Sequence, residues 1–276
     1  MNTKIAILLS TFQSEKYLNC LLDSILEQTI KDWQLFIRDD GSKDGTKDII
    51  NKYVAQHNQI TLLHDNILHR GPKESFFWLL DNTNAEYYMF CDHDDIWLPL
   101  KIESAFLKMR ELESISRKNT PILVHSDLIV VDSSLNVISR SFWGISHMEK
   151  FISQPEYLPF FNFVTGCTML INRSAKDVSI KLSQFALMHD SWIALNVFKN
   201  NGIIYGLSEA QILYRQHGNN ALGAKKYNIS FLNIISKIWE IINFNIKWFR
   251  MQKKVTNKNI FVYLIYKLLI FFKRLY

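Results

Sequence analysis

Along the first half of the chain, short apolar runs alternate with segments whose apolar positions recur every three or four residues. That alternation predicts an α/β domain with a largely parallel sheet. Residues 4–10 read as a buried strand, after which Leu18, Leu21, Leu22, Ile25 and Leu26 predict a helix over 15–28. Residues 33–38 form a second strand, stopped by Asp39, Asp40 and Gly41. Ile49, Ile50, Tyr53 and Val54 mark the next helix, 60–64 a third strand, and Phe76, Phe77, Leu79 and Leu80 another helix face. Residues 87–91 give a fourth strand that again ends in acids, and Pro99 suits the first turn of a helix reaching Glu113. Beyond residue 121 the pattern loosens. Residues 122–131 predict one or two strands broken near Asp127, and the stretch holding Trp143, Pro155 and Pro159 reads as a loop region over a site. Residues 164–172 are strand-like, 190–199 helical, and 203–207 and 211–214 short strands.

The 276 residues are 48% hydrophobic and 21% charged, which suits one large or two small globular domains and excludes a disordered, collagenous or disulfide-stapled chain. The net charge of +6 hides a split. Residues 225–276 hold eleven basic residues against one acid, Glu240, a balance of +10 that leaves −4 for residues 1–224. That tail carries Ile234, Ile235, Ile238, Ile241 and Ile242 at helical spacing, with Trp239, Trp248 and Phe249 beside them. Two compatible readings stand: helices bound to an anionic membrane surface, or helices packed on the body with their lysines in water. No recognition motif accompanies the charge, so nucleic acid is not an expected partner. The most apolar stretch, 260–272, is interrupted by Lys267 and too short to cross a bilayer. Cys20, Cys91 and Cys167 are odd in number and widely spaced, so neither a disulfide framework nor a zinc site is expected. The apolar run 5–9 is too short for a signal peptide, and a cytoplasmic location follows as the expectation.

In an open parallel sheet, ligands bind beyond the carboxyl ends of the strands. Three strands here end in polar or acidic residues: Ser10 with Thr11, Asp39 with Asp40, and Asp92 with Asp94 and Asp95. All three ends should share one rim. Carboxylates gathered there repel one another unless a cation or hydrogen-bond donors intervene, and a divalent metal is the economical explanation. Helix capping is the alternative, and Asp95 in particular stays between the two. There is no GxxxxGK[ST] and no GxGxxG after the first strand, so a bound phosphate would need neutralising by metal.

The runs ILLSTFQSEKYLNCLLDSILEQT, WQLFIRDDGSKDGT and YYMFCDHDDIWLPLK are followed in order by TGCTMLINR (165–173), MHDSWIALNVF (188–198) and YRQHGNNALG (214–223). Together they resemble the family 2 glycosyltransferases of the GT-A fold, and among them the bacterial rhamnosyltransferases of surface-polysaccharide assembly. The resemblance implies that Phe12 packs on the donor's base with Ser10 nearby. It puts Asp40, with Asp39 beside it, at the carboxylate that accepts the pyrimidine N3–H, a role suited to an acceptor-only group. Asp92 and Asp94 form the DxD, Asp94 ligating Mg2+ or Mn2+ and Asp92 lying toward the ribose, and His217 joins the metal shell. His93 is assigned no role. Arg215 either contacts the diphosphate or forms a surface ion pair. Gly166, with Cys167, would let the backbone approach the sugar, and Trp97 and Trp192 would stack on sugar faces or sit in the core. Asp190, at a helix start, falls at the catalytic-base position, where the helix N-terminus should lower its pKa and keep it ionised. Its competing reading is an N-cap.

The resulting expectation is a GT-A α/β domain over 1–224 and a basic, helical extension over 225–276. The implied reaction is inverting, metal-dependent transfer of a sugar from a nucleoside diphosphate donor onto a hydroxyl of a glycan or lipid-linked glycan. L-Rhamnose from dTDP-L-rhamnose is the first choice of donor and a UDP-hexose the second, with the enzyme peripheral on the inner face of the cell membrane. A reading of another class is a silent nucleotide-sugar-binding scaffold, which need not retain Asp92, Asp94, Asp190 and His217 together. The oligomeric state stays open.

Overall fold

Strand β1 (Thr3–Thr11) lies inside a seven-stranded sheet, its apolar run buried on both faces with Ile5 to Leu9 all fully covered. The computed structural model describes residues 3–217 and 238–275. Side chains alternate along β1: Ala6 and Leu8 join one core layer, Ile5, Ile7 and Leu9 the other. Strand β2 (Trp33–Asp39) and strand β4 (Ala85–Cys91) flank it in parallel, and β3 (Ile60–Leu62) extends the β2 side. Helix α1 (Leu18–Leu26) covers one face with Leu18, Leu21, Leu22 and Ile25, and α3 (Gly71–Asp81) the other with Phe76, Phe77, Leu79 and Leu80. Helix α2 (Thr46–Gln56) follows β2. Helix α1 is shorter than its periodicity predicts. It stops because Gln28 is fully buried, donating to the Leu98 carbonyl and accepting from the Ile102 N–H, which ties its end to α4 (Lys101–Ile115).

Beyond β4 the chain departs from simple alternation. The stretch 122–131, expected as one or two strands broken near Asp127, is two strands, and they lie in different sheets: β6 (Ile122–Ser126) in the large sheet and β7 (Ile129–Val131) in a small one. The small sheet runs β5 (Ile96–Trp97), β11 (Ile212–Arg215), β7, β8 (Val137–Ser139). In the large sheet, β9 (Leu170–Asn172) is inserted antiparallel between β4 and β6, and β10 (Ile203–Leu207) closes the edge beside β6. The order is β10-β6-β9-β4-β1-β2-β3, with every strand but β9 pointing the same way.

The stretch holding Trp143, Pro155 and Pro159 was expected as a loop region over a site. It forms instead a wall of the core: a short helix α5 (Phe142–Ile145) and single turns bury Trp143, Phe151, Tyr157, Phe160 and Phe163. Irregular spacing concealed this, since the rings pack on residues remote in sequence: Trp143 and Phe163 on His125, Tyr157 and Phe160 on Tyr266. Helices α6 (Arg173–Ser179) and α7 (His189–Lys199) lie beside it. The tail supplies α8 (Ile238–Thr256) and α9 (Ile260–Leu275), whose Trp248, Met251, Val255, Tyr263 and Ile270 enter the same core layer as Leu8 and Phe90. Packing on the body is therefore real: Trp248 Nε1 donates to the Pro159 carbonyl at 2.9 Å, and Tyr266 stacks on Phe160 at 4.1 Å. The expected boundary at 224/225, Ile234 and Ile235, and the GNNALG part of the YRQHGNNALG motif lie outside the described residues.

Candidate active site

The carboxyl ends of β1, β2 and β4 open on one rim. At β2 the two acids take different duties. Asp39 turns back on its own loop, accepting from Thr11 Oγ1, from Ser42 Oγ, and from the backbone N–H groups of Gly41 and Ser42. Asp40 Oδ1 accepts from Arg38 at 2.7 Å and from the Arg70 N–H, while Oδ2 accepts from the Gly71 N–H at 2.8 Å. Gly71 sits at φ +76°, a backbone conformation that favours glycine and aims this N–H at the acid. Burial alone would raise the Asp40 pKa, but Arg38 and the two N–H donors outweigh it and hold the carboxyl below its usual range. Oδ2 keeps one acceptor position, as recognition of an N–H requires. Ser10 is half-buried on β1 opposite Arg38, and Phe12 is 47% exposed, its ring edge-on to His69 at 5.6 Å.

At the end of β4 the geometry is tighter. His217 Nε2 lies 2.9 Å from Asp94 Oδ2, so the predicted metal pair meets across 123 residues of sequence. The His217 ring stacks on Tyr17 at 5.0 Å, and the Arg215 guanidinium lies 4.5 Å from the same ring. Arg215 was expected at the diphosphate or in a surface ion pair. It is buried, with Nε donating to the Asp94 carbonyl at 2.8 Å and its N–H to Asp95 Oδ1, and so it holds the DxD loop from behind. Asp92 is pushed up to about 7 by burial and by the charges of Asp94 and Asp190. Asp95 precedes strand β5 rather than a helix, which removes the capping reading. It is fully buried with Oδ2 unpartnered, and Asp92, Asp95 and Cys167 offer ligand atoms within 4.8 Å of one another. Burial and the neighbouring carboxylates drive the Asp95 carboxyl and the Cys167 thiol well above their ordinary values. Below the loop, Lys101 is buried, donates to the Thr168 carbonyl at 2.8 Å and is lowered by burial to about 8. A crowd of acids with Asp94 and His217 in contact fits a divalent cation, the carboxylate and imidazole being ligands that Mg2+ or Mn2+ accepts.

Asp190 stands at the second position of α7, with Met188 before the helix, so the N-cap reading fails. Its pKa is also the reverse of the expectation. Burial raises it to about 6, and the Ser191 N–H and Asn162 Nδ2, the latter 3.3 Å from Oδ2, only partly offset that. The helix N-terminus is outweighed because the carboxyl is 9% exposed. Two open readings are decided and one expectation needs correction. Trp97 is 2% exposed and Trp192 5%, the latter's Nε1 donating to the Ser179 carbonyl, so both belong to the core and neither offers a face to a sugar. At Gly166 the space a side chain would fill is taken by His189, whose Nε2 would lie 2.5 Å from an added Cβ. The glycine answers to an internal imidazole; His189 packs on Phe76 and Phe90 with centroids at 4.3 and 5.1 Å and neither ring nitrogen partnered.

Sequence reasoning passed over Tyr17, Asn162 and Arg38. Asn162 sits in a stretch without periodicity, and Tyr17, near the start of the predicted helix 15–28, is not one of its apolar-periodic positions. Arg38 carried a signal, a basic residue ending a buried strand; it is 1% exposed and binds Asp40, Asp65, Ser75 Oγ and the Ile67 carbonyl.

A parallel sheet with one reversed strand, carrying acids from three segments on one rim, is the frame of a GT-A glycosyltransferase. The chain belongs to that class of enzyme as a member of glycosyl transferase family 2, whose family model matches residues 6–175. It is 28% identical over 270 residues to the dTDP-rhamnosyl transferase RfbG of Shigella flexneri, covering 90% of this chain and 83% of that one. An uncharacterized glycosyltransferase of Haemophilus influenzae is 24% identical over 269 residues, 95% and 94% of the two chains. Among solved structures, the fold resembles residues 1–349 of S. aureus TarS in complex with UDP-GlcNAc, with TM-score 0.59 at 19% identity over 92% of this chain and 72% of that one. A mannosyltransferase of Pyrobaculum calidifontis in complex with GDP-Man and Mn2+ gives TM-score 0.56 at 14% identity, covering 80% and 59%. In another structure of S. aureus TarS the match covers 77% of this chain and 37% of that one. Among the described residues no single helix is long and apolar enough to cross a membrane.

Proposed function

We propose that this enzyme transfers a sugar, with inversion, from a nucleoside diphosphate donor to a hydroxyl of a lipid-linked glycan in surface-polysaccharide synthesis, working at the inner face of the cell membrane. The observation that carries the reading is the meeting of Asp92, Asp94, Asp190 and His217, drawn from three distant segments, on one rim. Asp190 is the proposed base. Its carboxylate, oriented by Asn162, takes the proton of the acceptor hydroxyl as that oxygen bonds to the anomeric carbon and the bond to the diphosphate oxygen breaks on the opposite side. Asp94 and His217 are the proposed ligands of Mg2+ or Mn2+, with Asp92 beside them, and the ion supplies positive charge against the leaving diphosphate. Phe12 and Asp40 are assigned to the base of the donor, and Arg215 holds the loop that presents Asp92 and Asp94.

Likeness to the dTDP-rhamnosyl transferase over nine-tenths of the chain favours dTDP-L-rhamnose as donor. A thermal-shift screen of dTDP-L-rhamnose and UDP-hexoses with Mn2+, followed by donor hydrolysis, tests this. dTDP-L-rhamnose should give the largest shift and slow hydrolysis. Stabilisation by UDP-hexoses alone would reject the donor, and no hydrolysis of any donor would favour a silent binding protein. Asp190→Asn should retain donor binding and lose transfer by about three orders of magnitude or more; transfer at the unmodified rate would remove Asp190 from the mechanism.

A further inference from the structure

Helices α8 and α9 turn an unusual face outward. On α9 the positions opposite the packed side, Phe261, Leu264, Ile265, Leu268, Phe272 and Leu275, are all apolar and between 45% and 75% exposed. The charges of this helix lie toward the body instead: Lys273 Nζ donates to Gln154 Oε1 and Arg274 to the Ser146 carbonyl, and Lys267 is held over the Tyr263 ring. A surface helix of a water-soluble domain has the opposite arrangement. On α8, Trp239, Ile242, Ile246, Arg250 and Lys253 follow one another along the exposed side at spacings of three and four, so an apolar half runs into a basic half. Lys254 and Lys258 extend the basic half, and Glu240 is the one acid of the pair.

An apolar surface of this extent marks a contact. A protein partner would satisfy its apolar part, but the basic half beside it calls for a surface that is apolar within and anionic at its border. A lipid leaflet has that layering. Neither helix alone is long and apolar enough to cross it: α9, with 16 residues, is about 24 Å long, the apolar run of α8 is broken by its charges, and a sharp bend of 119° separates the two. We infer that α8 and α9 form a seat for one leaflet of an anionic bilayer, with the outer side chains of α9 among the acyl chains and Arg250, Lys253 and Lys254 at the headgroups. The seat is part of the catalytic body. Helix α8 backs the segment that carries Asp190, the Leu187 N–H pointing at Met251 Sδ at 3.4 Å, so the height of the active site above the leaflet is fixed by core packing. This deepens the proposed function by naming the surface, and rests on it only for the lipid-linked acceptor.

Co-sedimentation of the full chain with phosphatidylcholine vesicles, with and without phosphatidylglycerol, tests the seat. The unmodified chain should sediment with the anionic vesicles, less with the neutral ones, and less again in high salt. Leu264→Asp with Leu268→Asp should weaken binding about tenfold or more, with the melting temperature and donor hydrolysis kept. Arg250→Glu with Lys253→Glu should abolish the preference for anionic lipid. Failure of the unmodified chain to sediment, or unchanged binding by Leu264→Asp with Leu268→Asp, would overturn the seat. So would a dimer in solution that this pair of changes splits without any vesicle binding. Vesicle binding without donor hydrolysis would sink the transfer reaction and leave the seat standing.

Discussion

Asp190 shows how one carboxyl's surroundings set its chemistry. Burial holds its pKa at about 6, above the ordinary aspartate range, and the donors at Ser191 and Asn162 do not cancel that. The sign is direct: in the role proposed for it Asp190 must be ionised, its protonated form would be inert, and activity would be present above the raised pKa and lost as pH falls through it. Initial rates should therefore decline below about pH 6, by roughly tenfold per unit at the foot of the limb. A flat profile down to pH 4.5 or so would show that Asp190 does not carry the proton. The position of Asp190 was legible in MHDSW, but its ionisation was not. A sequence displays the helix start that lowers a pKa; the walls that exclude water come from other segments. Trp97 and Trp192 stayed open between two readings for the same reason, since an indole reads alike in a core and on a sugar site until its neighbours are known.

At the scale of elements, the turn at Gly166 and the first turn of α7 are locked by one side chain. An alanine at 166 would put its Cβ 2.5 Å from His189 Nε2, and both sides of that contact are packed. Gly166→Ala should cost about 1–3 kcal/mol and lower kcat/KM, because Asp190 follows His189 and moves with it. His189→Ala in the same chain should return part of both losses. Urea unfolding and kinetics of the double-mutant cycle measure the coupling, and additive effects would show that the contact does not join the two elements. Periodicity found the parallel strands and the helices before residue 115, where each element buries a regular face. It marked the break between β6 and β7 near Asp127 but could not send the two strands to different sheets or reverse β9, because those short strands are defined by partners remote in sequence.

For the whole molecule, the tail closes the core. Trp248→Ala removes a ring that is 4% exposed and donates to Pro159, and should destabilise the chain by about 3–5 kcal/mol. A melting temperature unchanged by that substitution would make the tail an appendage. By itself, the sequence determined the class of enzyme, the alternation of the nucleotide half, the acids at its strand ends and the split between an acidic body and a basic tail. Local patterns encode all of these, since periodicity, strand-end composition and charge are properties of neighbouring residues. Only the tertiary structure decided which acids meet, that His217 closes on Asp94, that Arg215 works from behind the loop, and that α8 and α9 bury one face and expose another. Those outcomes depend on water being excluded by residues remote along the chain, a quantity that no single segment carries.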